Sequence, residues 1–236
     1  IFTREYAKAH REELERVYGL LADDHSRKVL RDVVKYKLTG DIKLLRGCES
    51  EPREAWENIL RPGKEEHYMD LGAYTGDTIA EFIGYAGEWR RITALEPDPV
   101  TFAKLERNTA GLHDCILYRL GAYSRYARLP FAGGAGRGSR LAAGGAMTEL
   151  DSVDNILCGQ TVSLINMDVE GMEAEAIAGM AKTLRRHRPK LLIAGYHRSE
   201  DLWRLPLEVL AIQPEYKVYV RHYPCLPAWD VNFYFV

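Results

Sequence analysis

The chain has few cysteines, no long apolar run and no recognisable signal peptide. Its four cysteines, Cys48, Cys115, Cys158 and Cys225, are widely separated and form no CxxC pair. This pattern excludes a disulfide-rich scaffold and offers no spacing typical of a zinc site. No apolar stretch approaches the ~20 residues of a membrane-spanning helix. We therefore expect reduced thiols, a cytoplasmic protein and no membrane partner.

Neither positive nor negative charge is concentrated in one part of the sequence. The chain carries 32 Lys and Arg against 34 Asp and Glu, for a formal net charge of −2. Nucleic-acid-binding domains usually cluster positive charge, so the composition predicts no nucleic-acid partner. The length of 236 residues suits one α/β domain with an appendage.

The first 60 residues have a helical pattern. Asp23 and Asp24 can cap a helix, and Gly40 can end one. Apolar positions recur at helical spacing on either side of the two acids, first at Leu14, Val17, Tyr18 and Leu21, then at Leu30, Val33, Val34 and Lys37. We predict a helical N-terminal cap over residues 1–60, followed by a second domain over residues 61–236.

From His67 onward, short apolar runs alternate with helical patterns that begin near Asp77, Pro99, Gly171 and Asp201. This alternation predicts a parallel sheet covered on both faces. The last two runs, "YKVYVRHY" and "VNFYFV", are separated only by "PCLPAWD". That connection is too short for a crossover helix, so these two strands should pair antiparallel.

A glycine-rich segment interrupts the alternation. Residues 128–153 read "RLPFAGGAGRGSRLAAGGAMTELDSV" and lack the Gly-Lys-Ser/Thr ending of a phosphate-binding P-loop. We interpret residues 128–150 as a β-hairpin or flap.

The first strand leads into "DLGAYTGD", residues 70–77. Gly72 and Gly76 permit a tight turn and a close approach of a ligand to the backbone. Glu96 ends the second run, at a separation where an acid can accept hydrogen bonds from ribose hydroxyls. To this point, a dinucleotide fits as well as any other nucleoside ligand.

The charges around the turn argue against a dinucleotide. A pyrophosphate would lie at the amino end of the first helix, where Asp77 stands, and Asp70 opens the turn. Two carboxylates repel a pyrophosphate, and Tyr74 occupies the place of the second glycine of GxGxxG. S-adenosylmethionine has a ribose, a cationic sulfonium and an ammonium group, but no phosphate. The alternative to a role of Asp77 in ligand binding is that Asp77 only caps its helix.

Beyond these features, the chain resembles the FkbM family of S-adenosylmethionine-dependent methyltransferases. The matching stretches cover most of residues 67–223 and are, in order, "MDLGAYTGDT", "ALEPDPVTFAKLERN", "LGAYS", "TELDSV", "INMDVEGMEAEAIAGM", "PKLLIAGYHRSEDLWRLPLEV" and "YKVYVRHY". The resemblance implies a class I methyltransferase (Rossmann-like) fold with a seven-stranded mixed sheet, strand order 3-2-1-4-5-7-6 and the last strand antiparallel.

The resemblance also implies roles for individual residues. The turn would hold the methionine portion and ribose, Glu96 the ribose, and Asp98 with Gly121 and Ala122 the adenine, while Asp168 would lie near the transferred methyl group. Tyr74 departs from the small polar residue of many relatives. The predicted cofactor-binding residues are Asp70, Gly72, Ala73, Tyr74, Gly76, Asp77, Glu96, Pro97, Asp98, Gly121, Ala122 and Asp168.

Methyl transfer to an alcohol also needs a group that accepts the hydroxyl proton. The candidates at strand ends are Asp168, Glu170 and His197. If the strand continues through Asp168, both carboxylates point the same way; alternatively, Glu170 and Gly171 begin the next helix. His197 has a reference pKa near working pH, although it can equally be a structural histidine.

The leading function is therefore O-methylation of a hydroxyl on a sugar, glycan or secondary metabolite, an acceptor class implied by the resemblance. The alternatives are an NAD-dependent oxidoreductase and a non-catalytic nucleotide-binding scaffold. We predict S-adenosylmethionine as cofactor, a small-molecule or carbohydrate acceptor and no required metal, and we leave a homodimer open.

Overall fold

A computed structural model describes residues 2–132, 140–141, 145–224 and 230–236. The chain forms two compact units, one of residues 61–191 and one of residues 1–60 together with 192–236. Within the described ranges, no helix combines the length and apolar content that crossing a membrane requires. The division into a cap over residues 1–60 and a domain over residues 61–236 stays a prediction.

The described strands form two sheets. The strands are β1 (His67–Leu71), β2 (Arg91–Leu95), β3 (Cys115–Tyr118), β4 (Gly121–Ala122), β5 (Ala127–Ala132), β6 (Arg140–Leu141), β7 (Ala146–Asp151), β8 (Leu164–Met167), β9 (Lys190–Ala194), β10 (Val218–His222) and β11 (Val231–Phe235). Seven of them form a mixed sheet in the order β10-β11-β9-β8-β1-β2-β3. β10 and β11 pair antiparallel, so the predicted fold class is confirmed.

The helices begin close to the residues that the sequence indicated. They are α1 (Arg4–Ala9), α2 (Arg11–Leu20), α3 (Asp24–Thr39), α4 (Ile42–Arg46), α5 (Pro52–Glu54) continued by a π-helix (Ala55–Leu60), α6 (Asp77–Ala86), α7 (Pro99–Thr109), α8 (Val153–Leu157), α9 (Glu173–Gly179), α10 (Ala181–His187) and α11 (Asp201–Ile212). The predicted starts at Asp77, Pro99 and Asp201 are confirmed. The helix expected near Gly171 begins two residues later.

In the unit of residues 61–191, β1 lies between β2 and β8 and runs parallel to both. All five residues of β1 are buried. A strand covered on both faces need not alternate apolar and polar residues, and "HYMDL" shows no such alternation. The arrangement places the turns that leave β1, β2 and β8 at the same edge of the sheet.

The smaller sheet has the order β4-β7-β5-β6 and contains the described part of the glycine-rich segment. β5 pairs antiparallel with β7 and with β6. Residues 133–139 and 142–144 of the segment predicted as a hairpin or flap lie outside the described residues. The run "CILYRLGAY" is divided between the two sheets, because β3 pairs with β2 whereas β4 pairs with β7.

In the unit of residues 1–60 and 192–236, α3 has the predicted caps. Asp23 accepts a hydrogen bond from the Ser26 backbone N–H at 2.6 Å, which satisfies an amide of the first turn. Gly40 ends the helix in the left-handed conformation with φ of 73°. The caps at both ends therefore follow from the local sequence.

A buried arginine on β10 organises the polar contacts of this unit. The Arg221 side chain is 2% exposed and forms ion pairs with Asp23 at 2.7 Å and with Glu54 at 2.8 Å. Its Nη1 also donates to the Ser26 hydroxyl at 2.8 Å. One guanidinium thus joins β10 to the amino end of α3 and to α5.

Replacing this arginine should destabilise the protein strongly. We expect Arg221→Ala to lower the free energy of unfolding by about 3 kcal/mol or more, because Asp23 and Glu54 lose the cation that compensates them. Urea unfolding measures the change. The control is Arg11→Ala. Arg11 and its partner Glu15 are both exposed to solvent, so the loss of this ion pair should hardly change the free energy of unfolding. Equal stability of Arg221→Ala and wild type would show that the ion pairs contribute nothing net.

Candidate cofactor site and active site

The glycine turn after β1 contains two glycines with positive φ. Gly72 has φ of 86° and Gly76 has φ of 89°, both in the region that favours glycine. A Cβ on Gly72 would lie 1.9 Å from the Asp168 carbonyl oxygen, so no side chain fits there. Gly76 is the N-cap of α6, and no side-chain hydrogen bond caps this helix. Asp77 is therefore the first residue of α6 and not its N-cap.

Glu96 lies directly after β2 and is held by backbone amides on both sides. Its Oε2 accepts from the Tyr74 N–H at 3.1 Å, and its Oε1 accepts from the Asp98 N–H at 2.8 Å. Tyr74 has φ of 47°, in the left-handed region. A carboxylate offers about four acceptor positions, so Glu96 keeps two for other donors. Paired ribose hydroxyls are donors of this kind.

Burial and neighbouring charges raise the pKa of Glu96 to about 7. Desolvation is the largest cause, the two backbone hydrogen bonds oppose it, and the negative charges of Asp98 and Asp70 raise the pKa further. The ionised form of Glu96 is therefore strained in the free protein. A ligand that donates hydrogen bonds or carries positive charge would stabilise this form.

Asp70 is fully buried at the end of β1, and both of its oxygens have protein partners. The Asn166 amide donates to Oδ1 at 2.8 Å, and the Thr78 hydroxyl donates to Oδ2. Burial raises the pKa of Asp70 to about 6, and the nearby charge of Asp77 contributes. Sequence reasoning missed Thr78 and Asn166. The parallel register of β1 and β8 pairs Asp70 with Asn166, and the sequence alone does not give that register.

The predicted adenine-binding residues also lie in this unit. Oδ1 of Asp98 caps α7 by accepting from the Val100 and Thr101 amides at 3.0 and 2.9 Å. A Cβ on Gly121 would lie 3.7 Å from the Cβ of Pro97 and much closer to Leu150. Pro97 therefore lies next to β4, formed by Gly121 and Ala122, and the predicted role of these positions in binding the adenine stays a prediction.

Asp168 and Glu170 lie on the turn that leaves β8. The Asp168 N–H donates to the Leu71 carbonyl at 2.9 Å, directly before Gly72. Carboxylate oxygens of Asp168 and Glu170 lie within 4.8 Å of one another. Glu170 has φ of 54°, so the strand does not continue, and α9 begins only at Glu173. Both alternatives for Glu170 are therefore wrong, because a tight turn separates strand and helix.

His197 belongs to the other compact unit, where it follows β9. Its ring lies 4.2 Å from the Tyr196 ring, measured between centroids. A ring nitrogen of His197 and a carboxylate oxygen of Asp201 lie within 4.8 Å of one another. The proposed role of His197 as a base stays a prediction.

The predicted residues of the unit 61–191 lie at the end of β1 or on the turns after β1, β2 and β8, except Asp77, which begins α6, and Gly121 and Ala122, which form β4. The acidic side chains Asp70, Asp77, Glu96 and Asp98 favour a ligand with positive charge, and Glu96 retains acceptors for a ribose. These groups fit S-adenosylmethionine. The order of the seven strands and the antiparallel hairpin β10–β11 define a class I methyltransferase fold.

Comparison with known proteins identifies the family. Residues 70–219 match the methyltransferase FkbM domain, so the chain belongs to this family, whose cofactor is S-adenosylmethionine. A crystal structure of methyltransferase FkbM from Methylobacillus flagellatus matches with 27% identity and a TM-score of 0.85. The match covers 98% of this chain but only 60% of the Methylobacillus chain.

Two more distant structures share the fold. Fibrillarin from Aeropyrum pernix, solved with natively bound S-adenosylmethionine, is 14% identical with a TM-score of 0.50, over 78% of this chain and 71% of its own. An rRNA methylase from Streptococcus thermophilus is 12% identical with a TM-score of 0.51, over 79% of this chain and 96% of its own. No protein in the curated set that we compared matches the chain.

The raised pKa of Glu96 predicts pH-dependent cofactor binding. The ionised carboxylate accepts ribose hydroxyls best, so affinity for S-adenosylhomocysteine should rise about tenfold from pH ~6 to pH ~8 and level off above the pKa. Isothermal titration calorimetry at several pH values measures the profile. Glu96→Gln keeps the shape but not the titration of Glu96, so any pH dependence that it retains belongs to the ligand or to another group such as Asp70. Identical profiles of variant and wild type would contradict the assignment.

Proposed function

We propose that this chain is an S-adenosylmethionine-dependent methyltransferase that methylates a hydroxyl oxygen of a sugar, glycan or secondary metabolite. The observation that carries the proposal is the Glu96 carboxylate, fixed by the amides of Tyr74 and Asp98 beside the glycine turn. Membership of the FkbM family supports methyl transfer. The hydroxyl acceptor follows from the resemblance of the motifs to the FkbM family.

The residues around the turn would bind and orient the cofactor. Glu96 accepts hydrogen bonds from the ribose hydroxyls, and Gly72 lets the ligand approach the backbone closely. Asp70 and Asp77 place negative potential at the start of α6, which favours a cationic ligand over a phosphate. When bound, S-adenosylmethionine supplies a methyl group on a sulfonium, which is a good leaving group.

The protein then has two tasks, to orient the acceptor and to remove its proton. For an in-line displacement, the protein would have to hold the acceptor oxygen opposite the carbon–sulfur bond of the bound cofactor, so that a carbon–oxygen bond would form as the carbon–sulfur bond broke and left its electron pair on sulfur. The hydroxyl proton passes to a base of the protein. Asp168 and Glu170 are the carboxylate candidates, and His197 is the imidazole candidate. No required metal is proposed for this step.

Ligand binding separates the proposal from its alternatives. We expect calorimetry to detect S-adenosylmethionine and S-adenosylhomocysteine and to detect no NAD. A screen of hydroxylated acceptors should then release S-adenosylhomocysteine, and NMR of the product should place the new methyl group on oxygen. Binding of NAD alone would support an oxidoreductase, and binding of neither ligand would support a scaffold. A methyl group on nitrogen or carbon would refute the proposed acceptor.

His197 can be tested as the base by separating turnover from binding. We expect His197→Ala to lower kcat by about 10²-fold, the usual contribution of a positioned base, and to leave cofactor affinity nearly unchanged. Steady-state kinetics and calorimetry measure the two quantities. The control His113→Ala removes an exposed histidine and should match wild type. Wild-type turnover of His197→Ala would return His197 to a structural role.

A further inference from the structure

Glu173 is a buried acid whose carboxylate binds the turn after β8. Its side chain belongs to the first residue of α9 and is 1% exposed. Oε1 of Glu173 accepts from the Val169 N–H and from the Gly171 N–H, each at 3.2 Å. A single oxygen therefore satisfies two amides of the turn.

These hydrogen bonds hold a conformation that the chain would otherwise disfavour. Val169 accepts from the Met172 N–H at 3.3 Å, which closes a four-residue turn. The two central residues, Glu170 and Gly171, have φ of 54° and 91°. Positive φ is costly for a residue with a side chain, so Glu170 needs the surrounding contacts to stay in place.

The same turn is fixed against the turn that leaves β1. The Asp168 N–H donates to the Leu71 carbonyl, and the Asp168 carbonyl leaves no room for a Cβ on Gly72. A displacement of the turn after β8 would therefore move the Asp168 and Glu170 carboxylates. It would also shift the backbone of the glycine turn, which is in contact with Asp168. The geometry of both turns depends on what holds residues 168–172.

We propose that Glu173 is a positioning residue, which fixes the Asp168 and Glu170 carboxylates for methyl transfer by accepting the amides of Val169 and Gly171. Glu173 does not act on the acceptor itself; it acts through the turn. The inference rests on the proposed function, because it assumes that Asp168 and Glu170 lie at the site of transfer.

Glu173→Ala should lower kcat because the turn loses its acceptor. A misplacement of reacting groups by about 1 Å can cost about 10²-fold, so we expect a loss of about 10- to 100-fold. The dissociation constant for S-adenosylhomocysteine should rise by a smaller factor than kcat falls, because Glu96 keeps its contacts with the Tyr74 and Asp98 amides when the turn after β8 shifts. Circular dichroism and thermal melting establish that each variant is folded at the assay temperature.

Glu173→Gln tests the mechanism, because it keeps an oxygen that can accept both amides. Its kcat should recover to within about threefold of wild type, since rescue requires only the acceptor. Glu175→Ala is the matched control, because Glu175 lies exposed in the same turn of α9 and should match wild type.

Three results would overturn the proposal: wild-type kcat in Glu173→Ala, a loss of cofactor affinity as large as the loss of kcat, or a Gln variant as slow as the Ala variant. The assay measures release of S-adenosylhomocysteine with whichever acceptor the screen identifies. A methyl group found on nitrogen or carbon would therefore refute the proposed O-methylation, while the comparison of the Glu173 variants would still be valid.

Discussion

The close packing of two turns is the constraint on which the candidate site depends. The turn after β1 and the turn after β8 lie so near each other that Gly72 cannot carry a side chain, because the Asp168 carbonyl occupies that space. One turn carries the backbone that a cofactor would approach, and the other carries the carboxylates of Asp168 and Glu170. Parallel pairing of β1 with β8 brings the two turns to one edge of the sheet.

In the free protein, burial destabilises the ionised forms of two acids of the site. Burial raises the pKa of Asp70 to about 6 and that of Glu96 to about 7, so both acids are harder to ionise than in water. Between their unfolded and folded pKa values, rising pH costs stability, because the folded state holds protons that the unfolded chain has released. Hydrogen bonds from a ribose and the charge of a sulfonium would recover part of this cost on binding.

Much of the fold could be predicted from local sequence. Asp23 and Gly40 cap α3 as expected, α6 and α7 begin at Asp77 and Pro99, and the short connection before Val231 produces the antiparallel hairpin. The contacts of Asp70 with Asn166 could not be read in the same way, because they depend on the register of strands 96 residues apart. The conformation of Glu170 was also missed, since its positive φ depends on a buried carboxylate three residues later.

Asp70 illustrates how burial changes the meaning of a motif residue. From the sequence, a carboxylate at this place in the turn is expected to bind the cofactor directly. In the structure both of its oxygens accept protein donors, Thr78 from α6 and Asn166 from β8. Because Asp70 is also 0% exposed, its contribution to a ligand would act through charge and through the fixed position of α6. Glu96, by contrast, accepts backbone amides only, and its remaining acceptor positions are consistent with its predicted role in binding the ribose directly.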